Sequence, residues 1–235
     1  MAFETVFKRY EYKYLITKEQ KQRLVEIMKD YMCPDEYGKT TIRNLYFDTD
    51  TYLLIRRSIE KPSYKEKLRI RSYDKAKSDS TVFVELKKKY NSIVYKRRIS
   101  LPENQAMDWT LRKAPCPKKE QISSEIDYFL GYYQNLRPKI FISYDREAYY
   151  SKERHDFRIT FDSDILARQT NLSLQEDVFG EPLLPEYSVL MEVKCSYCMP
   201  SWLVAFLSDK RIYKTNYSKY GTAYETMIYP EKSIC

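Results

Sequence analysis

The feature that most constrains the fold of this sequence is an alternation of charged and apolar residues that recurs in short segments along the chain. Successive side chains of a β-strand point to opposite faces, so an alternating segment presents one charged face and one apolar face. Strands are predicted at 5–16, 41–48, 63–73, 80–90, 92–101, 138–149, 155–163 and 187–196. In seven of these eight segments, one face collects charged residues opposite a face with apolar residues.

The charged faces carry far more positive than negative charge. They comprise thirteen cations and four carboxylates: Arg9, Glu11, Lys13, Lys65, Lys67, Arg69, Arg71, Glu85, Lys87, Lys89, Lys96, Arg98, Arg146, Arg158, Asp162, Glu192 and Lys194. An ordinary half-exposed sheet also alternates polar and apolar residues, but with the two signs of charge in rough balance. Seven strands that share a cation-rich face therefore indicate a common function for that face.

The apolar faces need cover, and amphipathic helices supply it. Helices are predicted to begin at Thr17, where Gln20 completes a capping box, and at Pro200. Further helices are predicted at 52–59, 103–113, 121–134 and 217–228. If the apolar faces turn towards these helices, the charged faces turn towards a shared interior. An even number of antiparallel strands can also close into a barrel that has no free edges. We therefore predict an α+β fold: an eight-stranded antiparallel closed β-barrel with helices packed outside, forming a single domain over residues 1–235.

The charge of this interior predicts the kind of ligand it binds. A cavity lined by so many cations is self-repulsive unless it holds a polyanion. An eight-stranded barrel is wide enough for side chains or one small ligand, which excludes duplex DNA. Sites for single-stranded nucleic acid interleave aromatic rings with cations, whereas the aromatic residues here fall mostly on the apolar faces. A chain of phosphates fits best, and nucleic acid is not expected to be a partner.

Composition excludes several other kinds of site. The chain has four glycines with no two adjacent, so side chains rather than a glycine-rich loop must bind phosphates. The single histidine, His155, argues against zinc sites and histidine acid–base catalysis. The five scattered cysteines do not resemble a disulfide framework. No apolar run is long enough for a membrane helix or a signal peptide. We expect a cytoplasmic protein.

Eight motifs, taken in order, resemble those of a known family. They are RYEYKYLI (9–16), KLRIRSY (67–73), VFVELKKK (82–89), VYKRRISL (94–101), RPKIFISYDREAYY (137–150), FRITFDSDI (157–165), LMEVKC (190–195) and TNYSKYGTA (215–223). Together they resemble the VTC domain, the catalytic domain of the vacuolar-transporter-chaperone polyphosphate polymerase, within the triphosphate tunnel metalloenzyme (CYTH-like) superfamily. The resemblance implies a tunnel in which the γ-phosphate of ATP is transferred onto inorganic polyphosphate with Mn²⁺ or Mg²⁺.

The resemblance also implies functions for individual residues. The catalytic, phosphate-binding cations would be Lys13, Arg69, Arg71, Lys87, Lys96, Arg146 and Lys219. Tyr144 and Ser218 would add hydrogen bonds to the substrate, and Glu192 would bind the metal. Strand alternation adds further substrate-binding candidates: Arg9, Lys67, Arg98, Arg158 and Lys194. Glu85 and Glu11 either bind the metal as well or neutralise neighbouring cations.

One position departs from the superfamily pattern. The ExExK signature reads RxExK here, with Arg9 in place of the first glutamate, which favours the VTC branch over the hydrolytic triphosphatases. The excess of cations also favours polyphosphate synthesis. A metal-dependent tripolyphosphatase or nucleoside triphosphatase, and a non-catalytic polyphosphate-binding protein, remain alternatives. No SPX domain or membrane helix is recognisable, so translocation of the product would need a separate membrane partner.

Overall fold

The structure is a computed structural model that describes residues 10–60, 62–91 and 93–229. Its strands are β1 (Tyr10–Thr17), β2 (Met32–Pro34), β3 (Thr40–Asp48), β4 (Tyr64–Tyr73), β5 (Thr81–Tyr90), β6 (Ile93–Pro102), β7 (Arg137–Ser151), β8 (Arg158–Arg168), β9 (Glu181–Pro182) and β10 (Ser188–Cys195). Its α-helices are α1 (Lys18–Tyr31), α2 (Leu53–Ile59), α3 (Glu103–Thr110), α4 (Gln121–Tyr132), α5 (Ser201–Asp209) and α6 (Lys219–Ala223), and a π-helical turn (Tyr224–Ile228) follows α6. The predicted α+β class is confirmed.

The strands form one hydrogen-bonded sheet, in the order β1-β10-β8-β7-β3-β4-β5-β6, with β2 paired to β7 and β9 paired to β8. The sheet has ten strands rather than the predicted eight. The two additional strands, of three and two residues, are too short for a period of two to be recognised in the sequence. Within the described part of the chain, no ladder joins the terminal strands β1 and β6. Closure of the barrel by hydrogen bonds is therefore not confirmed.

The chain divides into two compact units. The first comprises Met1–Thr40, Tyr144–Ile165 and Leu184–Tyr217. Its sheet consists of β1, β2, β10, the first part of β8 and the second part of β7. Helices α1 and α5 bury Leu24, Met28 and Leu203 against strand residues such as Met191 and Val193, which are fully buried. The apolar face of this unit is therefore covered by helices, as the alternation predicts.

Helix α1 begins where the sequence predicts. The Thr17 hydroxyl accepts a hydrogen bond from the Gln20 amide at 3.0 Å, and the Gln20 side chain accepts one from the Thr17 amide at 2.9 Å. These reciprocal bonds satisfy two amides that a helix leaves without intrahelical partners. The capping box therefore fixes the point at which strand β1 ends and the helix starts.

The second unit comprises Thr41–Ser143, Leu166–Leu183 and Ser218–Cys235. Its sheet is built on the consecutive antiparallel strands β3 to β6. Helices α3 and α4 contribute Trp109 and Ile126 to a core that also buries Val84, Leu86 and Ile99 from the strands. These strand residues occupy the apolar face of the alternation, so the opposite face of β4, β5 and β6 carries the charges.

A buried arginine organises the long loop after β8 in the second unit. The Arg168 guanidinium is 3% exposed and lies 3.7 Å from the centre of the Phe141 ring. It donates hydrogen bonds to five backbone carbonyls of the loop, those of Thr170, Asn171, Ser173, Asp177 and Phe179. The alternation pattern gave no indication of this network, because its acceptors are backbone atoms.

Near the ends of the chain, one prediction falls outside the described residues and another differs from the structure. Arg9 and the beginning of the first predicted strand lie outside the described residues. The helix predicted at 217–228 starts at Lys219 and changes to a π-helical turn at Tyr224. None of the helices in the described ranges is long and apolar enough to cross a membrane.

Candidate functional site

The charged side chains of the second unit lie in rows across β4, β5 and β6, because the strand register places them directly opposite one another. One row, here called the arginine row, consists of Tyr46, Arg69, Glu85 and Arg98. The next, the lysine row, consists of Lys67, Lys87 and Lys96. Beyond it, Lys65 faces Lys89 as the outer lysine pair. Arg71 lies at the opposite end, paired with Asn44 and Phe83.

Glu85 is the carboxylate at the centre of the arginine row, and it is 1% exposed. It contacts four cations: Arg69 at 2.7 Å, Lys96 at 2.7 Å, Arg98 at 3.1 Å and Arg71 at 4.0 Å. Burial alone would raise the pKa of Glu85, but the adjacent cations outweigh this effect and hold the pKa well below its ordinary value. The carboxylate therefore stays ionised and offsets part of the charge around it.

Two residues of β3 hold the arginines in place. The Arg71 Nε donates to Asn44 Oδ1 at 2.9 Å, and Asn44 Nδ2 donates to the Ile142 carbonyl at 3.0 Å. The Tyr46 hydroxyl accepts a hydrogen bond from Arg69 at 2.9 Å. Asn44 and Tyr46 were not among the predicted site residues. Their alternation with apolar neighbours in segment 41–48 was the available signal.

Helix α6 adjoins the lysine row. Ser218 caps this helix, and its hydroxyl accepts a hydrogen bond from Lys67 Nζ at 3.2 Å. The Tyr220 hydroxyl donates to the buried Asp48 at 2.9 Å, and Asp48 also accepts from the first amides of α2. Lys219 is 9% exposed. Burial acts to raise the pKa of Tyr46, but Arg69 and Arg71, with a smaller contribution from Lys219, outweigh it and lower that pKa. The fold therefore brings Ser218 to Lys67, one of the predicted cations of β4.

The charged face of the first unit is smaller and more balanced. Lys13 lies opposite Glu192, and Glu11 lies opposite Lys194, which in turn lies opposite Arg158. The Lys13 Nζ is 3.7 Å from the Glu11 carboxylate and 3.9 Å from the Glu192 carboxylate, and it donates to a backbone carbonyl of Tyr217 at 3.0 Å. Lys13 of β1 therefore lies near two carboxylates, one on its own strand and one on β10.

Arg146 is anchored by a carboxylate that the sequence prediction assigned only to the charged face. Its Nε and NH2 groups donate to the two oxygens of Asp162 at 2.6 and 2.7 Å, a bidentate pair. Its NH2 group is 3.5 Å from Glu192, and its guanidinium lies 5.1 Å from the centre of the Tyr144 ring. Burial opposes the charge on Arg146, but Tyr144, Asp162 and Glu192 outweigh it and raise its pKa.

Arg158 has other neighbours. Its guanidinium is 3.6 Å from Asp35 and lies 4.6 Å from the centre of the Tyr150 ring. Glu192 contacts both Lys13 and Arg146, and so links the Lys13–Glu192 pair with the Arg146–Asp162 pair. The described contacts of Arg158 are instead with the β2–β3 connection and with β7.

The carboxylates limit how a divalent metal could bind. Among the described residues, no three histidine, cysteine, aspartate or glutamate side chains form a group that could hold a metal ion. Glu85 is surrounded by four cations, which repel a metal ion. Glu11 and Glu192, on the two sides of Lys13, offer hard oxygen donors that suit Mg²⁺ or Mn²⁺. A metal there would need water or ligand oxygens to complete its coordination.

Other sequence candidates lie away from these faces. His155 is exposed in the β7–β8 turn. A cavity of about 410 Å³ lies beside helix α1 in the first unit, and its lining includes Lys21, Lys39, Glu147 and Asp164. Its lining contains three lysines and three carboxylates, and two of the lysines are paired, Lys21 with Glu147 and Lys39 with Asp145. The cavity therefore lacks the excess positive charge of the arginine and lysine rows.

Solved structures of low sequence identity share the fold of this chain. A candidate adenylyl cyclase from Hippeastrum, for which a dominant triphosphatase activity is described, has a TM-score of 0.56 and 18% identity, with 92% of this chain and 94% of that chain covered. A candidate adenylate cyclase from Bacillus halodurans has a TM-score of 0.54 and 16% identity, with 90% of this chain and 95% of that chain covered. No curated protein matches the sequence significantly.

The family comparison covers nearly all of the described chain. The model of the VTC domain matches residues 8–228, a range that contains all of the strands and the whole of helix α6. This range also contains the basic rows of the second unit and the Lys13–Glu192 and Arg146–Asp162 pairs of the first. The chain therefore belongs to the VTC domain family.

Proposed function

We propose that this protein is a polyphosphate polymerase that transfers the γ-phosphate of ATP onto the end of a growing inorganic polyphosphate chain, with Mn²⁺ or Mg²⁺. The observation that carries the proposal is the composition of the basic rows in the second unit. Nine cations (Lys65, Lys67, Arg69, Arg71, Lys87, Lys89, Lys96, Arg98 and Lys219) accompany one carboxylate, Glu85. Such an excess suits a ligand with many negative charges.

The arginines supply preorganised anion recognition. Arg69 and Arg71 are fixed by Tyr46 and Asn44 before any ligand binds, so little side-chain freedom is lost when a phosphate is engaged. Phosphoryl transfer depends chiefly on positioning and on neutralisation of charge on the transferred group. In the proposed reaction these two arginines and Lys96 orient the triphosphate, and the guanidinium groups bind its oxygens in pairs.

Helix α6 supplies a second set of donors. Lys67, Ser218 and Lys219 lie together beside the arginine row. In the proposed reaction they bind the phosphates next to the bond that breaks, with Lys87 beside them in the lysine row. Because α6 is fixed to the sheet through the Tyr220–Asp48 hydrogen bond, these donors keep their place during the reaction.

The first unit supplies the groups proposed for the metal. Glu192 and Glu11 would hold the divalent cation, and when bound it would offset charge on the phosphate oxygens. In the first unit, Lys13 and Arg146 are also proposed to bind phosphate, as are Lys194 and Arg158 on the same face. Glu85 is assigned to charge compensation rather than to the metal, because four cations already surround it.

The nucleophile requires no general base. The terminal phosphate of the acceptor chain already carries negative charge at neutral pH, so no proton has to be removed before it attacks the γ-phosphorus of ATP. The P–O bond to ADP breaks as the new P–O–P link forms. This agrees with a site whose described charged rows contain cations and carboxylates but no histidine.

The proposal extends to the cellular setting. We propose a single catalytic domain over residues 1–235 that acts in the cytoplasm and passes its product to a separate membrane protein. The free thiols of Cys33, Cys116, Cys195 and Cys198 support a reducing compartment. ATP and inorganic polyphosphate are the proposed partners, and nucleic acid is not.

The experiment that tests this function measures the product. The protein is incubated with ATP, Mn²⁺ and a short polyphosphate primer, and chain length is followed by gel electrophoresis and phosphorus NMR. We expect ADP and longer chains. Release of orthophosphate without chain growth, over a range of ATP to ADP ratios, would assign the protein to the tripolyphosphatase or nucleoside triphosphatase class. Binding of polyphosphate without turnover would make it a non-catalytic binding protein.

A further inference from the structure

We propose that Cys195 and Cys198 are a redox-modification site, at which hydrogen peroxide forms a disulfide that a dithiol reductant breaks. The two residues are the ends of the motif Cys195-Ser196-Tyr197-Cys198, which follows strand β10 in the first unit. The proposal concerns a site outside the charged faces described above, and it does not depend on the proposed polymerase function.

The two thiols differ in their access to solvent. Cys195 is the last residue of β10, lies opposite Tyr10 of β1 and is fully buried. Cys198 is exposed, and the chain bends at residues 196 and 197 between the two cysteines. Both thiols are free. An oxidant in solution therefore reaches Cys198 rather than Cys195.

The β7–β8 turn holds the backbone of the motif in place. The Ser196 amide donates a hydrogen bond to Asp156 Oδ2 at 2.9 Å, and Arg154 NH1 donates one to the Cys198 carbonyl at 3.0 Å. Arg154 NH2 also donates to Asp156 Oδ2 at 3.1 Å, which ties the two anchoring side chains together. The bend between the cysteines is therefore set by the fold and does not have to form during oxidation.

Arg154 also lies beside the exposed thiol. The pKa of Arg154 is raised, chiefly by its hydrogen bond with Asp156, and Cys198 raises it further through its charge and a hydrogen bond. A cation beside a thiol favours the thiolate, which is the form that attacks an oxidant. Burial raises the pKa of the Cys195 thiol, so that thiol stays protonated at neutral pH. Cys198 is therefore the residue that reacts first.

The reaction balances with two thiols and one molecule of peroxide. The Cys198 thiolate attacks a peroxide oxygen and the O–O bond breaks, and the hydroxide that leaves takes up the proton of the original thiol to form water. The Cys198 sulfenic acid then condenses with the Cys195 thiol: the S–S bond forms, the S–O bond breaks and a second water leaves. The two thiols together lose two electrons, which reduce the peroxide to two waters. A dithiol reverses the change by thiol–disulfide exchange.

The spacing of the cysteines favours reversible oxidation over a permanent bridge. A disulfide stabilises a fold mainly by restricting the unfolded chain, and this effect grows with the length of the loop that it closes. A bridge between residues three positions apart restricts the unfolded chain little. In a reducing compartment, disulfides that form are usually transient and serve catalysis or redox sensing.

The test follows one tryptic peptide of the full-length protein by mass spectrometry. Cleavage after Lys194 and Lys210 releases peptide 195–210, which contains both cysteines. The reduced protein is treated with a small molar excess of hydrogen peroxide, then alkylated and digested. We expect this peptide to lose two hydrogen atoms and to take up no alkylating group, and dithiothreitol to restore both alkylation sites. Cys33, which is exposed but has no second cysteine near it in the sequence, is the internal control.

Two substitutions separate the roles of the residues. In Cys195→Ala, Cys198 should stop at the sulfenic acid, which dimedone traps. In Arg154→Gln, disulfide formation should slow roughly twofold to fivefold, the effect of one exposed charge pair, whereas Arg154→Lys retains the charge and should stay closer to the wild-type rate. An unchanged rate in Arg154→Gln would refute the activation of Cys198 by the arginine.

Three outcomes would overturn the site. They are two alkylated thiols in peptide 195–210 under conditions that oxidise Cys33, a disulfide that joins Cys198 to Cys33, and oxidation of Cys195 in a chain whose Cys198 is still free. The wild-type measurement gives its answer even if thermal unfolding shows that Cys195→Ala does not fold. Because the assay follows mass rather than turnover, its result is independent of the polymerase assay.

Discussion

Replacing Glu85 by glutamine removes the charge that offsets the arginine row while preserving the shape of the side chain. The carboxylate is almost completely buried and lies within 3.1 Å of Arg69, Lys96 and Arg98. An amide offers one oxygen acceptor in place of two charged ones. The variant therefore leaves several cations close together without compensation.

The expected loss of stability follows from these contacts. Removing one partner of a buried ion pair costs about 3–5 kcal/mol. Three of the partners are partly exposed, with 43% of the Lys96 side chain, 34% of Arg98 and 20% of Arg69 accessible, and solvent screens their repulsion. We therefore expect the lower end, about 3 kcal/mol, which for a chain of this size corresponds to a fall in Tm of roughly 6–12 °C.

Thermal unfolding with and without tripolyphosphate tests this reasoning. Tripolyphosphate should raise the Tm of Glu85→Gln more than that of the wild type, because the ligand supplies the missing negative charge. Glu125→Gln is the matched control, since Glu125 forms a more exposed pair with Arg97 at 2.9 Å and should cost less than about 1 kcal/mol. Equal losses of stability in Glu85→Gln and Glu125→Gln would refute the role of Glu85 in charge compensation. Normal stability with loss of Mn²⁺-dependent turnover would make Glu85 a metal ligand instead.

The pH dependence of the same variant gives an independent check. The pKa of Glu85 is lower in the folded chain than in the unfolded chain. The ionised carboxylate therefore stabilises the fold fully above the pKa of an unfolded glutamate, about 4.3. This stabilisation is lost as the pH falls through the folded pKa. The difference in stability between wild type and variant should be constant above about pH 5 and narrow below about pH 4. A difference that does not narrow in acid would contradict the assignment.

Three further substitutions have defined outcomes. Glu192→Gln should abolish metal-dependent turnover and leave tripolyphosphate binding within about threefold of wild type by calorimetry, because the cations remain; normal turnover in Mn²⁺ would show that the ligand lies elsewhere. Arg71→Ala should weaken tripolyphosphate binding roughly 10-fold to 100-fold, the range of a charged hydrogen bond. The control Lys29→Ala, at an exposed position, should have little effect on binding. Equal weakening by the two substitutions would count against the arginine site. Arg168→Lys should lower the free energy of unfolding by about 2–4 kcal/mol in denaturant titrations, because an ammonium group cannot reach five carbonyls. A loss under about 0.5 kcal/mol would show that the hydrogen bonds of Arg168 to the loop contribute little to stability.

The alternation in the sequence predicted which face of each strand carries charge, because the period of two is a property of the strand itself. For β4 and β5 the apolar positions, such as Leu68 and Val84, are fully buried beneath helices. The start of α1 at the Thr17–Gln20 capping box was equally readable, because all of its contacts lie within four residues.

Contacts across strands were not predictable in the same way, because they depend on register. The hydrogen bond from Arg71 to Asn44 joins residues 27 positions apart, and the bidentate pair of Arg146 and Asp162 joins residues 16 apart. Strands β2 and β9 were missed because they are too short to show a pattern. Closure of the predicted barrel, which is not confirmed, would depend on pairing of the terminal strands, about which alternation within a strand carries no information.

The composition of the two units has a consequence for synthesis of the chain on the ribosome. In the second unit, strands β3 to β6 and helices α3 and α4 are continuous along Thr41–Ser143, so most of its core is available once that stretch has emerged. The first unit needs β1 and β10, which pair Tyr10 with Cys195, and therefore waits until nearly the whole chain has been made. Since a unit can fold only when all of its segments have emerged, nascent chains arrested after Ser143 has left the ribosome should protect β4 and β5 from proteolysis while β1 remains cleavable.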